Sequence, residues 1–301
     1  MPAPGSGHID LEIGAEGGII AARDFGGRGP DVLLVHGTGH DLEAWGPVAD
    51  LLVPRCHVVA FDLRGHGQTT LDSTDATQYW RDLGGVIRAA GLRAPILVGH
   101  STGGYAVTAF AADGGDCAAI VVVDGFVPDD AATVQEATRT TDWPAMRKVL
   151  WDLFRYGWQA RDDEMEAFVR EVAAKGPTDW LNAGVDPARL EAVTRRAFLR
   201  RGDAWLRRPT MKEIDVVRQP APGPVYPSVE VYSRVRVPLT LILASGGLYA
   251  NRVDAMQSVA GQGPFRRLVR VQAGHNVPLQ APSAVAAAVR EMAGRMPPRI
   301  G

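Results

Sequence analysis

Short apolar runs recur along this chain, separated by segments with helical spacing. The runs are DVLLVHG (31–37), CHVVAFD (56–62), PILVGH (95–100), CAAIVVVDG (117–125) and VPLTLILA (237–244). A continuous apolar run suits a central strand buried on both faces. Between the runs lie HDLEAWGPVADLLV, with apolar residues at Leu42, Trp45, Val48, Leu51 and Leu52, then ATQYWRDLGGVIRAAG, ending at Gly91, and TGGYAVTAFAAD. Strand and helix therefore alternate through residue 125. This predicts an α/β fold with βαβ units and a mostly parallel sheet flanked by helices on both faces. Two earlier runs, HIDLEI and GGIIAARDF, read as a hairpin turning at Gly17-Gly18.

The texture changes between about 126 and 234. Charged helical segments take over (WPAMRKVLWDLFRYGWQA, RDDEMEAFVREVAAKG, PARLEAVTRRAFLRRGDAWL), followed by the proline-rich loop RQPAPGPVYPSVEVY. Alternation resumes with VPLTLILA, the helical NRVDAMQSVAG, the strand RRLVRVQ and a final helix, APSAVAAAVREMAG. The expected organisation is one α/β core, residues 1–125 and 235–301, interrupted by a helical lid or cap over 126–234. Five of the seven tryptophans fall in that insertion: Trp143, Trp151, Trp158, Trp180 and Trp205. The spacing of Trp143, Trp151 and Trp158 predicts one buried helix face, with one or two tryptophans reaching a substrate. Six arginines, at 195, 196, 200, 201, 207 and 208, read as a solvated helix face, or as a dock for an anionic partner such as a carrier protein or a carboxylate substrate.

With 32 basic and 34 acidic residues the net charge is −2, which gives no electrostatic footprint for nucleic acid or an anionic membrane. No apolar run approaches the roughly 18 residues a membrane span needs. The N-terminal stretch MPAPGSGHIDLEIG shows no basic region followed by an apolar one. Cys56 and Cys117 sit beside strand-like runs and read as buried thiols in a reducing compartment. A cytoplasmic protein acting on a small molecule is expected, with a homodimer as an open assembly.

The chemistry centres on ILVGHSTGGYAV (96–107). Gly99-x-Ser101-x-Gly103 follows a strand and opens a helix, the context of a nucleophile elbow. The turn is tight, so residues 99 and 103 must be small and the serine must accept an unfavourable φ. In return its hydroxyl stands at the strand's C-terminal end, and the Thr102 amide, at a helix N-terminus, points where an oxyanion can form. A serine needs a base. His275 lies just past the strand RRLVRVQ, after Ala-Gly, in the order this elbow requires. The loop HGTGH supplies Thr38 as a second amide donor, with Gly37 and Gly39 allowing close approach, and His40 is a candidate for the pocket wall. His36 and His66 read as structural turn residues. His57 and His8 carry no expected role, and His100 is expected to point away from the serine and pack inward.

At this point the chain resembles the α/β-hydrolase family, through His36-Gly37, Asp62-Leu63-Arg64-Gly65-His66-Gly67, Gly99-His100-Ser101-Thr102-Gly103-Gly104 and Ala273-Gly274-His275. The resemblance implies a lidded hydrolase with Ser101 as nucleophile, His275 as base and no metal or organic cofactor. Many members carry their acid after the penultimate strand, but LTLILASGGLYANRVD offers only Gly247, Leu248 or Tyr249 there, with Asp254 several residues late. Some branches, haloalkane dehalogenases and zearalenone-lactone hydrolases among them, are similar to this chain in another respect: an aspartate closes the strand after the nucleophile's helix, the position of Asp124. Ser101 at the elbow argues against dehalogenase and epoxide-hydrolase chemistry. Asp62 is expected to brace the Arg64 turn, and Asp129 and Asp130 to lie in a solvated loop or cap the next helix. The resemblance implies a serine hydrolase of an ester, lactone or thioester. The cofactor-independent dioxygenases of heteroaromatic quinolones, hydroxynitrile lyases, and a non-catalytic small-molecule receptor on the same fold remain alternatives.

Overall fold

The computed structural model describes residues 7–295; the first six residues of the stretch read for a leader lie outside them. The strands are β1 (Ile9–Ala15), β2 (Gly18–Gly26), β3 (Asp31–Val35), β4 (His57–Phe61), β5 (Ile96–His100), β6 (Ala119–Val123), β7 (Gln159–Ala160), β8 (Phe198–Arg201), β9 (Ala204–Arg207), β10 (Leu239–Gly246) and β11 (Arg266–Gly274). The helices are α1 (Gly46–Leu52), α2 (Gln78–Ala89), α3 (Thr102–Ala112), α4 (Ala131–Thr140), α5 (Trp143–Phe154), α6 (Asp162–Lys175), α7 (Pro187–Arg196), α8 (Met211–Arg218), α9 (Val253–Ala260), α10 (Val277–Gln280) and α11 (Pro282–Gly294).

Eight strands form one sheet in the order β1-β2-β4-β3-β5-β6-β10-β11. The β1–β2 and β2–β4 pairs are antiparallel and the others parallel. β3, β5 and β6 are buried along their whole length, as their unbroken apolar sequences require. Alternate residues serve the two faces. Leu33 and Val35 join α2, α3 and α9 in one core, while Val32 and Leu34 join α1 and α11 in the other. β6 pairs with β10, Ile120 beside Leu239, so strands from either side of the 126–234 segment adjoin in the sheet.

Three local expectations shift. The first hairpin turns at Glu16-Gly17, not at Gly17-Gly18. Ala15 pairs with Gly18, which places Gly18 in the strand, and a side chain is excluded there because a β-carbon would stand 2.4 Å from Thr70 Oγ1. Leu51 faces outward at the end of α1, while Leu42, Trp45, Val48 and Leu52 are buried. Residues 198–207, read as a continuation of a helix, form instead the β8–β9 hairpin, turning at Gly202 with φ +58°. With β7 it makes a three-stranded antiparallel sheet inside the otherwise helical segment.

The tryptophan face also fails to form. α5 ends at Arg155, which is left-handed at φ 55°. Trp158 therefore lies beyond the helix and packs with Phe168 and Phe198. No residue of α5 is buried, and Trp151 and Trp180 are exposed. Polar contacts fasten the segment to the core. Arg196 pairs with buried Asp62 at 2.9 Å, Gln68 Nε2 donates to the carbonyls of Arg196 and Phe198, and Asn276 Nδ2 donates to Asn182 Oδ1 at 2.7 Å. Among the described residues no helix is long and apolar enough to cross a membrane. Cys56 and Cys117 are free and buried.

Candidate active site

Four parallel strands, β3, β5, β6 and β11, deliver their following loops to one edge of the sheet. That edge, outside the carboxyl ends of the strands, is where open α/β sheets bind ligands. Ser101 follows β5 with φ 52° and ψ −121°, and caps α3. Its amide donates to the Val123 carbonyl at 3.0 Å, which ties the elbow to β6. A β-carbon on Gly99 would stand 2.1 Å from the Gly103 carbonyl oxygen, and one on Gly103 would stand 2.3 Å from that of Val35. Side chains at either position would open the turn and release the serine from its strained conformation.

Asp124 follows β6 with φ +40°. Its carboxylate is fully buried and accepts the amides of Ala244 and Leu248, each at 3.2 Å. His275 Nδ1 lies 2.6 Å from Asp124 Oδ2. A buried carboxylate needs such partners, and this one orients the imidazole with Nδ1 as donor and Nε2 left for chemistry. The segment after β10 thus holds no acid; it contributes the Leu248 amide that steadies one. Asp254 sits in the first turn of α9.

Gly37 packs directly on the elbow, since a β-carbon there would meet Ser101 Cβ at 2.7 Å. Thr38 and Thr102 are linked through their hydroxyls at 2.7 Å, so the loop after β3 and the N-terminus of α3 are held together. Burial pushes the His40 pKa down to about 3, with the charges of His36 and His275 adding to the effect, so its ring is neutral at ordinary pH.

His100 packs inward as expected, at 2% exposure, and has a further contact. Its ring stands 4.8 Å from that of His275, and Nε2 donates to the His275 backbone carbonyl at 2.8 Å. The residue before the serine therefore braces the loop that carries the candidate base. Burial pushes its pKa well down, so it holds this bond as a neutral ring. His36 donates from Nδ1 to the Gly37 carbonyl and accepts the Leu63 amide at Nε2, and His66 donates to the Arg64 carbonyl; both fix turns. Asp62 accepts the amides of Leu42 and Gln68, whereas Arg64 pairs with Asp82. Asp130 caps α4, and Asp129 pairs with Arg252.

A cavity of about 180 Å³ opens beside Ser101 and Thr102. Tyr79, Tyr105 and Tyr249 supply its aromatic wall, with Val217 and Pro220 from the 126–234 segment. No tryptophan lines it, and neither do Thr38 and His40. Tyr105 donates to the Val225 carbonyl at 2.5 Å. Burial, with Asp124 adding its charge, pushes the Tyr249 phenol up to about 12. The tyrosines were not singled out from sequence, although Tyr105 lies one helical turn after the serine and Tyr249 just past the end of β10. Among the described residues no group of three or more His, Cys, Asp or Glu side chains is placed to hold a metal ion.

A family profile described as the alpha/beta hydrolase family matches residues 32–288. Protein phosphatase methylesterase 1 of Bos taurus is 38% identical over 105 residues, which are 32% of this chain and 28% of that protein. The chain thus spans little more than a quarter of the length of the curated relatives it matches. Among solved structures, E-2-(acetamidomethylene)succinate hydrolase superposes with a TM-score of 0.73 at 19% identity, covering 95% of this chain and 98% of the other. A thioesterase domain from the curacin biosynthetic pathway gives 0.67 at 20% identity, covering 94% and 99%. These two likenesses concern the fold.

Proposed function

The chain belongs to the alpha/beta hydrolase family, and on that premise we propose that it is a serine hydrolase of a carboxylic ester, lactone or thioester of a small apolar or aromatic molecule. The observation that carries this reading is the 2.6 Å contact of His275 Nδ1 with the buried Asp124 carboxylate, at the sheet edge where Ser101 occupies a strained elbow.

Ser101 Oγ attacks the substrate carbonyl while His275 Nε2 takes its proton. Asp124 holds the imidazole in the required tautomer and stabilises the imidazolium. The amides of Thr38 and Thr102 receive the oxyanion. His275 then returns the proton to the leaving oxygen or sulfur, and an acyl-enzyme remains on Ser101. In the second half His275 deprotonates water, which attacks the acyl carbonyl; the carbonyl–Oγ bond then breaks, His275 returns the proton to Ser101 Oγ, and the acid is released. Metal or organic cofactors have no part in these steps. The cavity walled by Tyr79, Tyr105 and Tyr249 takes the apolar portion of the substrate, and the 126–234 segment acts as a lid over it. The relative described as a protein phosphatase methylesterase supports an ester-type substrate. Two buried free thiols fit a reducing compartment such as the cytoplasm.

Intact-mass measurement after treatment with a fluorophosphonate tests the reading. The expected result is one adduct per chain on wild type, none on Ser101→Ala, and much slower labelling of Asp124→Asn. A folded wild type that stays unlabelled and turns over no ester or lactone would overturn it.

A further inference from the structure

Five of the six arginines in the 195–208 stretch have carboxylate partners. Arg195 pairs with Glu166 and Glu191, Arg196 with Asp62, Arg200 with Asp162, and Arg201 and Arg208 both with Asp72. Arg207 is the exception: among the described residues no carboxylate lies within ion-pair distance of it. It is also buried, at 7% exposure. Its Nε has no hydrogen-bond partner, and Nη1 makes one long bond, 3.4 Å, to the Arg208 carbonyl. The rings of Phe198 and Phe168 lie 5.5 and 5.9 Å from the guanidinium carbon. Two such ring contacts do not offset the cost of a buried charge that lacks a carboxylate partner. Burial accordingly pulls the Arg207 pKa below its ordinary value.

The surroundings have the chemistry of an unfilled anion site. Tyr156 and Asp41 both lie within electrostatic reach of Arg207. Tyr156 abuts the loop after β3, since a β-carbon on Gly39 would stand 1.9 Å from its hydroxyl. His40 Nδ1 and Asp41 Oδ2, on the same loop, are buried without hydrogen-bond partners. Burial and the charge of Asp62 hold the Asp41 carboxyl well above the usual carboxylate range. Buried polar atoms without partners call for a water, an ion or a ligand, and the charged group left here without a carboxylate in ion-pair distance is the Arg207 guanidinium.

We propose that Arg207 is the binding group for a carboxylate carried by the substrate, seated under the lid beside the Gly37–Asp41 loop. This rests on the serine-hydrolase reading and narrows it. One part of the ester fills the tyrosine-walled cavity, and the other bears a carboxylate that accepts hydrogen bonds from the Arg207 fork.

Matched ester pairs test it: phenyl hemisuccinate against phenyl methyl succinate for a charge on the acyl side, and 4-carboxyphenyl butyrate against its methyl ester for a charge on the alcohol side. Wild type should favour one anionic member over its neutral partner by about tenfold or more in kcat/KM, as a charge-assisted bond implies. Arg207→Met should bring that ratio to one or below, and Arg207→Lys should keep part of it. As a measurement that needs no variant, succinate should slow fluorophosphonate labelling of wild-type Ser101 more than sodium chloride at equal ionic strength. Ratios near one for both pairs and no protection by succinate, with Ser101 still labelled, would overturn the proposal and leave Arg207 as an internal charge bridged by water to Asp41. Absence of labelling on wild type would instead strike the serine-hydrolase reading itself.

Discussion

A β-carbon on Gly247 would stand 2.2 Å from Asp124 Oδ2. The missing side chain at 247 and the carboxylate at 124 are therefore one arrangement. The loop after β10, where many relatives are expected to carry an acid, is emptied so that an acid from β6 can occupy the space. The next amide, Leu248, donates to that same oxygen.

Gly247→Ala should therefore impair catalysis without touching Ser101 or His275. The methyl group must push aside either the carboxylate or the loop, and a displacement of about 1 Å near a reacting group can cost about 10²-fold in rate. Expected is a fall in kcat of ten- to a hundredfold, with KM for a small ester changed little and with near-normal thermal stability. A kcat within twofold of wild type would show that the carboxylate has room that the structure does not give it.

Arg196 and Asp62 join the 126–234 segment to the main sheet. Asp62 is fully buried, and Arg196 is its cationic partner at 2.9 Å. Removing one member of a buried pair typically costs about 3–5 kcal/mol, because the other charge is left uncompensated. Arg196→Met should lower the unfolding free energy in urea by about that much. The amides of Leu42 and Gln68 still reach Asp62 in the variant, which favours the lower end of the range. A loss below about 1 kcal/mol would mean that water replaces the guanidinium.

The balance of what could be read from sequence follows from which features are local. Ser101, His275 and Asp124 each end a strand-like run, so their shared placement at one sheet edge follows from the alternation of elements alone. Asp124 could be singled out as the candidate acid because 247–249 hold no carboxylate. Why position 247 is glycine was not legible, since that depends on a through-space approach between β6 and β10. The β8–β9 hairpin was missed because Arg200, Arg201 and Arg207 mask its period-two pattern and a two-residue turn at 202–203 leaves little punctuation. The pairing of five of the six arginines was equally hidden. Apart from Glu191, their partners, Asp62, Asp72, Asp162 and Glu166, lie far off in sequence, so Arg207 looks like its neighbours until the chain is folded.

His57 offers a pH test of the sheet edge near β3 and β4. Burial alone would lower its pKa, but hydrogen bonds with Asp31 at 2.8 Å and Asp24 at 3.2 Å outweigh it, and the net shift is upward. A raised folded-state value means that the folded protein holds the proton more tightly than the unfolded chain does. The contribution is fully present below the unfolded value of about 6.5 and fades as pH rises through the folded one. His57→Gln should therefore lower the Tm more at pH 5.5 than at pH 9. An equal loss at both would assign the effect of the substitution to packing.

The cavity beside Ser101 sets the last expectation. At about 180 Å³ it is close in size to an engineered apolar cavity of about 150 Å³ that binds benzene, so a single ring or a short branched chain should fill it. Val217 reaches this wall from α8, in the 126–234 segment, and its side chain contributes neither a hydrogen bond nor a charge. Val217→Trp would place an indole where a substrate ring belongs. The ratio of kcat/KM for phenyl benzoate to that for phenyl acetate should then drop by at least about tenfold, because overfilling an apolar pocket costs about 1–3 kcal/mol and the acetyl group needs little of the space. Burst kinetics would separate the two halves of the reaction, and the loss should appear in acylation by the benzoate. An unchanged ratio would mean that the aromatic portion binds outside this cavity, with the tyrosine wall serving only for packing.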